Sequence, residues 1–407
     1  MNISLINPPS PFLENDSAYP PMGLMYVAAA LENNGNSVEI IDLTGNEYWL
    51  EFIQKLNFQK TDFIGITCVT PNVSIVTKII QYLPKNIPVM LGGAHPTFLP
   101  NDALENTGCS TVIVGESEEI LPSVIKDLSN NSLKKIYFGK NVAVEHIPKP
   151  ARHLVNLKTY SPGGEQATPV YSSRGCPFKC NFCSKITGTT YRELPIDRVI
   201  EEINEVISLD FQKIVFGDDN IAINKSRLEE LLRRIKPFGI QFRLNQDARH
   251  MDKKTLDISY EAGCTDISFG IESGSQKILN AMHKQTTVEK NLEAIKWTKM
   301  SGIHAKAYFM VNFPGETEET VQETLTFAEE TNPDKWLLSA FAPLPGSDVF
   351  NKPGKYGITS MSSDWSDYYL VGKGGKFKPC FTTKYLTHEK QIELHSMAYN
   401  GLKEILG

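Results

Sequence analysis

The chain has 407 residues, 41% of them hydrophobic, and a formal net charge of −6. That length accommodates about two domains with cores of their own, and the acidic balance argues against a broad nucleic-acid footprint. No apolar run approaches the ~18 residues of a membrane span, and Met1-Asn2-Ile3-Ser4-Leu5-Ile6 reads as a strand rather than a signal sequence.

Short apolar runs alternate with helical patterns from the start. Residues 3–7 predict a strand, and 23–34 a helix that Gly35 stops at its C-terminal cap. Further strands are predicted at 38–42, 63–69, 89–92 and 111–114, with helices near 47–56, 72–82, 100–106 and 117–128. Strands alternating with helices imply a doubly wound, Rossmann- or flavodoxin-like parallel sheet over 1–135. Ligands of such sheets bind beyond the carboxyl ends of the strands, at the switch point. Those ends carry Pro9, Gly23, Thr44, Thr67, Thr70, Gly92-Gly93-Ala94-His95 and Glu116. Glycines allow close backbone approach, and threonines offer hydroxyl donors.

Residues 136–167 are mixed in pattern, with Pro148, Pro150 and Pro162-Gly163-Gly164, and predict a linker. Strands resume at 169–173, 213–217, 240–244, 265–269, 304–310 and 336–341, with helices near 195–208, 226–236, 253–262, 287–301 and 317–330. Six βα units over 168–345 imply a partial parallel barrel, whose site belongs at the carboxyl ends of its strands. A C-terminal extension over 346–407 holds Trp365, Tyr368 and Tyr369 beside Gly372, Gly374 and Gly375, a run that reads as a lid or a flap over the barrel mouth. A helix over 388–406 closes the chain.

There are seven cysteines without a paired framework, which predicts a reducing, cytoplasmic setting. Three of them, Cys176, Cys180 and Cys183, follow the first barrel strand in the spacing C-x3-C-x2-C. Thiolates are soft ligands, and so tight a run lets one loop wrap one metal centre. Structural zinc normally takes two separated pairs, and a [4Fe–4S] cluster held by protein alone takes four thiolates. No fourth cysteine lies near the loop, so three ligands would leave one iron open. Cys68, Cys109, Cys264 and Cys380 read as packing residues, Cys380 as the most exposed of them.

This spacing resembles that of the radical S-adenosylmethionine (SAM) enzymes, and the order of the strand ends before it resembles their cobalamin (B12)-dependent branch. The resemblance implies a [4Fe–4S] cluster on the three cysteines, SAM on the open iron and cobalamin on the first domain. It implies SAM contacts from Phe182, from Gly217-Asp218-Asp219, from Arg243, Asn245 and Arg249, from Glu272-Ser273 within Gly-Ile-Glu-Ser-Gly, and from the backbone at Val311. In the first motif a second glycine and a glutamate of the family's Gly-Gly-Glu-like turn are replaced. The family's Asp-x-His-x-x-Gly motif is absent, since no histidine precedes His95. The resemblance then implies base-off cobalamin with no histidine below the cobalt, and His95 is a candidate near it.

The expected function is therefore reductive cleavage of SAM and cobalamin-dependent modification of an unactivated carbon, by methyl transfer. Alternatives are cyclisation or rearrangement with the same cofactors, a radical SAM enzyme with a vestigial first domain, and an iron–sulfur or zinc protein used for binding. The expected partners are a small-molecule substrate and an electron donor such as flavodoxin or ferredoxin.

Overall fold

The structure, a computed structural model, describes residues 1–13, 15–161, 164–372 and 375–407; Pro162, Gly163 and Gly374 lie outside the described residues. It divides into two compact units, 1–165 with 185–188 and 363–368, and 166–184 with 189–362 and 369–407. No helix among the described residues is long and apolar enough to cross a membrane.

The first unit holds strands β1 (Asn2–Asn7), β2 (Ser37–Asp42), β3 (Phe63–Thr67), β4 (Val89–Gly92), β5 (Thr111–Val114) and β6 (Ile136–Phe138). They form one parallel sheet in the order β2-β1-β3-β4-β5-β6. Side chains alternate across a strand, so β1 sends Ile3 and Leu5 into one apolar layer and Ile6 into the other. The helix Met22–Asn33 packs Leu24, Ala28 and Leu31 on the first layer, and the helix Val73–Tyr82 packs Val76 and Ile79 on the second. Each such buried Leu or Ile contributes about 1.5–3 kcal/mol. The order reverses between β1 and β3, where connections leave in opposite directions and open a crevice.

The expected sheet is present with a sixth strand. Residues 136–165, expected as a linker, belong to this unit. Glu116 accepts from Val142 N at 2.6 Å, Ala151 N donates to Met25 O at 3.0 Å, and Tyr160, 1% exposed, donates from its hydroxyl to Asp42. A three-residue edge strand is too short to show a period of two, which is why proline content alone suggested a linker. The segment 363–368 also belongs here: Trp365 Nε1 donates to Asp102 at 3.0 Å, and Tyr368 is buried. Trp365 and Tyr368 of the expected lid or flap are thus packed in the first unit, whereas Tyr369, Gly372 and Gly375 belong to the second.

In the second unit the expected first strand breaks into β7 (Thr168–Val170) and β8 (Ser173–Arg174), and β8 forms a short antiparallel pair with β9 (Arg192–Glu193). The main sheet adds β10 (Lys213–Phe216), β11 (Gln241–Gln246), β12 (Cys264–Glu272), β13 (His304–Val311) and β14 (Lys335–Ala340). Its order is β14-β13-β12-β11-β10-β7, all parallel, with no pairing between the edges β7 and β14 among the described residues. Intervening helices start where side chains cap them: Asn224, Asp252, Thr287 and Thr317 each accept from a backbone N–H of the first turn. At the foot of the sheet Asp266 accepts from Lys335 at 2.5 Å and Lys213 at 3.4 Å; burial works against its charge, but these cations hold its pKa at about 2. A hairpin of β15 (Ile358–Met361) and β16 (Phe381–Thr383) and the helix His388–Leu406 complete the unit. Cys380, expected as the most exposed of the isolated cysteines, is 2% exposed, because it precedes β16 and its carbonyl accepts from Ser362 N.

Candidate active site

The cysteine loop leaves β8 through Gly175, whose φ of +85° lets the chain turn at once toward Cys176. None of the three is in a disulfide and all are partly exposed, whereas Cys68, Cys109, Cys264 and Cys380 are buried. The loop is pinned on both sides of Cys180. Asn181 donates its N–H to Met282 O at 2.9 Å and its amide to Ala281 O at 3.0 Å, and His283 Nδ1 meets Lys179 O at 2.9 Å. On the other side the Arg249 guanidinium lies 3.9 Å from the Phe178 ring centroid, and Asp247 holds that guanidinium through Nε at 2.7 Å and Nη2 at 2.9 Å. Arg249, expected as a SAM contact, is engaged in this clamp. No three His, Cys, Asp or Glu side chains among the described residues are placed to share a single metal ion. Three soft donors on one pinned loop, with no fourth beside them, fit a cluster in which each thiolate meets a different iron.

Asp218 does something other than expected. It is 3% exposed, and its carboxylate accepts from Ser172 N at 3.1 and 3.2 Å, from Ser172 Oγ at 2.8 Å, and from Ser173 Oγ. Burial pushes its pKa up while those donors pull it down. With its oxygens so occupied, Asp218 fastens the strand that leads into the cysteine loop instead of facing SAM's ammonium. Asp218→Ala strands three buried donors at about 1–3 kcal/mol each. The expected result is a loss of about 3–5 kcal/mol in denaturant unfolding together with reduced iron uptake; unchanged stability would contradict the assignment.

The neighbouring positions divide in the same way. Asp219 is exposed at the end of β10, Phe182, Gly217 and Arg243 are half-buried, and Asn245 donates to Phe216 O at 3.2 Å. A Cβ at Gly217 would sit 2.6 Å from the Tyr171 ring, so any larger residue would displace that ring. Ser273 is buried and hydrogen-bonded with Thr324 Oγ1 at 3.0 Å, and Val311 is buried with its carbonyl accepting from Phe341 N at 2.8 Å. Ser273 and Val311, both expected as SAM contacts, are thus each engaged within the protein.

Glu272 ends β12 at a register shift against β13, with φ +65°. A bulge re-aims a side chain, and here it turns the carboxylate back over Gly270, where a Cβ would lie 2.5 Å from Oε1. Oε1 accepts from Lys284 Nζ at 2.8 Å. Lys284 was not anticipated: it is a single lysine in a polar turn, a place where lysines are ordinarily solvated, and yet it is 8% exposed.

Glu316, two residues beyond Phe313-Pro314, is 4% exposed and accepts from Thr320 Oγ1 at 2.8 Å, with Oε2 buried. Burial pushes its pKa up to about 7. A carboxyl raised in the native state stabilises it fully below the unfolded value and loses that contribution as pH rises through about 7. Glu316→Gln therefore gains stability relative to the parent between pH 5 and pH 8, by up to about 3 kcal/mol. Denaturant midpoints at four pH values check this, and a pH-independent difference would contradict it.

In the first unit a crevice opens at the β1/β3 switch point, lined among others by Asn7, Gly23, Thr44, Thr67, Val69 and Asn72. Its floor is a polar network: Asn7 donates its amide to Asp42 at 3.0 Å and Thr44 Oγ1 at 2.8 Å, and the Tyr160 hydroxyl lies 3.3 Å from Thr44 Oγ1. Gly23, Thr44 and Thr67 are there as expected. Pro9, Gly92, Gly93 and Ala94 are not among the crevice-lining residues, though Gly92 ends β4 paired with Thr67 and Gly93 and Ala94 follow it. His95 and Thr70 are withdrawn from it: His95 is fully buried, with Nε2 2.9 Å from Asp102 and Nδ1 3.4 Å from Thr70 Oγ1, and burial holds it neutral. Glu116 is turned to Val142 N. The lining contains no histidine. The Asn72 side-chain carbonyl is buried without a partner, and Cβ atoms at Gly23 and Gly92 would meet open space. An orphaned acceptor, hydroxyls and missing Cβ atoms fit a large polar-edged ring with an amide-bearing rim.

The comparisons agree with this division. The family model of the B12 binding domain matches residues 14–125, and that of the radical SAM superfamily matches 170–328. An uncharacterized methyltransferase of Pyrococcus horikoshii is 29% identical over 93% of this chain and 87% of its own length. An anaerobic magnesium-protoporphyrin IX monomethyl ester cyclase of Rubrivivax gelatinosus is 28% identical over 83% of this chain and 66% of its own. Among solved structures, the radical SAM methyltransferase TsrM of Kitasatospora setae, with cobalamin and a [4Fe–4S] cluster bound, superposes with a TM-score of 0.74 at 15% identity. That match covers 100% of this chain and 89% of TsrM and shows a shared fold.

Proposed function

The chain belongs to the cobalamin-dependent radical SAM enzymes, and on that premise we propose that it methylates an unactivated carbon of a small molecule. Its cofactors are a [4Fe–4S] cluster, SAM and cobalamin. Bound together, they supply one-electron cleavage of SAM to a deoxyadenosyl radical and a methyl donor for the substrate carbon. The observation that carries the reading is the pairing of one pinned C-x3-C-x2-C loop with a switch-point crevice in the same chain.

In this reading Cys176, Cys180 and Cys183 hold the cluster, and the clamps at Phe178 and Asn181 keep their spacing. Phe182, Gly217, Asp219 and Arg243 remain accessible to SAM, and Glu272 meets it through the carboxylate oxygen not taken by Lys284. Thr44, Thr67 and Asn72 would hold the cobalamin rim, and no histidine is among the crevice-lining residues. The electron comes from a reduced carrier such as flavodoxin or ferredoxin, and the setting is cytoplasmic. The test is anaerobic reconstitution and product analysis with and without cobalamin. A product heavier by one CH2 unit, formed only with cobalamin, is expected. A second reading, ring formation, is favoured by the similarity to the cyclase; a product lighter by hydrogens, with no added carbon, would select it.

A further inference from the structure

We propose that Lys284 is a positioning residue whose fixed positive charge, buried under the cysteine loop, sets the reduction potential of the cluster that loop holds. The inference rests on the assignment of Cys176, Cys180 and Cys183 as its ligands.

The turn carrying Lys284 is built for the purpose. It follows the short helix Gln276–Ala281 and has two non-glycine residues in the left-handed region, His283 at φ +53° and Gln285 at φ +59°. Such residues cost free energy and persist where the surroundings fix them. Here the surroundings are the cysteine loop: Met282 O and Ala281 O accept from Asn181, and His283 meets Lys179 O. Gln285 O accepts from Arg249 Nη1 at 3.2 Å, the same guanidinium that covers Phe178. Alternation then sends His283 and Gln285 outward, both exposed, and Lys284 inward.

Inside, Nζ lies 2.8 Å from Glu272 Oε1 and 5.9 Å from the Phe182 ring centroid, one residue from Cys183. Burial works against the lysine's charge, yet Glu272, Asp247 and Cys180 are near enough to hold it charged well above the ordinary lysine range. A buried ion needs such compensation, and Arg249 already engages both oxygens of Asp247. In a site of low dielectric a fixed cation favours whichever state of a neighbouring centre is more negative. The reduced cluster carries one more electron than the oxidised one. Lys284 therefore eases reduction, and Glu272 tempers the effect.

The test is a mediated redox titration of the reconstituted protein without SAM, followed by spin resonance. Lys284→Met is expected to disfavour reduction about tenfold, a fall of about 59 mV for one electron. Lys284→Arg, which keeps the charge, should stay within about twofold of the parent. Glu272→Gln, which removes the counter-charge, should move the potential the opposite way. If Lys284→Met fails to hold iron, the Glu272→Gln shift decides alone. Loaded variants that all titrate with the parent would overturn the proposal, as would a loss confined to SAM affinity. A parent protein that takes up no cluster would instead overturn the assignment of the cysteines.

Discussion

Cys180→Ala is expected to abolish deoxyadenosine formation and to lower iron content, while the fold survives. The loss exceeds roughly 100-fold, since disturbing only the outer partners of a metal site already costs about 10- to 100-fold. The survival of the fold follows from how the loop is held. Its pins are the Asn181 N–H and amide, the Lys179 carbonyl and the Phe178 ring, and none uses the Cys180 sulfur. Thermal unfolding of the cluster-free variant should therefore match that of the cluster-free parent. Burial pushes the Cys180 thiol pKa up and Lys284 pulls it down. Cys176→Ala and Cys183→Ala should behave alike. A Cys180→Ala protein that cleaves SAM at the parent rate would remove the cluster from this loop.

Gly92→Leu is expected to fold normally and to lose cobalamin uptake by at least about 100-fold, roughly 2.7 kcal/mol of binding. The choice of glycine matters. A Cβ at Gly92 meets nothing within 4 Å, so a side chain added beside the crevice residue Thr67 clashes with no protein atom there. At Gly93 the φ is +104° and a Cβ would lie 2.9 Å from Cys68 O, so a side chain there strains the backbone with or without a ligand. Gly93→Leu would thus cost stability of its own, on the order of 1–3 kcal/mol, and could not separate binding from folding. The Gly92 variant should keep the iron–sulfur cluster and SAM cleavage, because those residues belong to the other unit. Undiminished cobalamin uptake by Gly92→Leu would place the ligand elsewhere. Nitrogen coupling in the spin-resonance spectrum of bound cob(II)alamin would restore a lower ligand, which the histidine-free crevice lining argues against.

The sequence by itself determined whatever depends on near neighbours along the chain. Alternating apolar runs specified both parallel sheets, because a strand buried on two faces must be apolar throughout. The cysteine loop was legible from its spacing alone, since three thiolates within eight residues have few other uses. Carboxyl ends of strands pointed to both candidate sites, because the crevice of an open parallel sheet forms there.

Which strand-end residues face a ligand was decided only by tertiary structure. Asp218 looked available until Ser172 and Ser173, some 45 residues away in sequence, took up its oxygens. Glu116 was claimed by Val142, His95 by Asp102, and Asp102 in turn by Trp365 from 263 positions later. A polar side chain near a strand end has the same local pattern whether it meets a ligand or a distant partner. Only the folded chain says which donor reaches it first. Lys284 is the reverse case: its sequence neighbourhood is that of a solvated lysine, and it is buried because Glu272, twelve residues upstream, is turned back by a bulge to receive it.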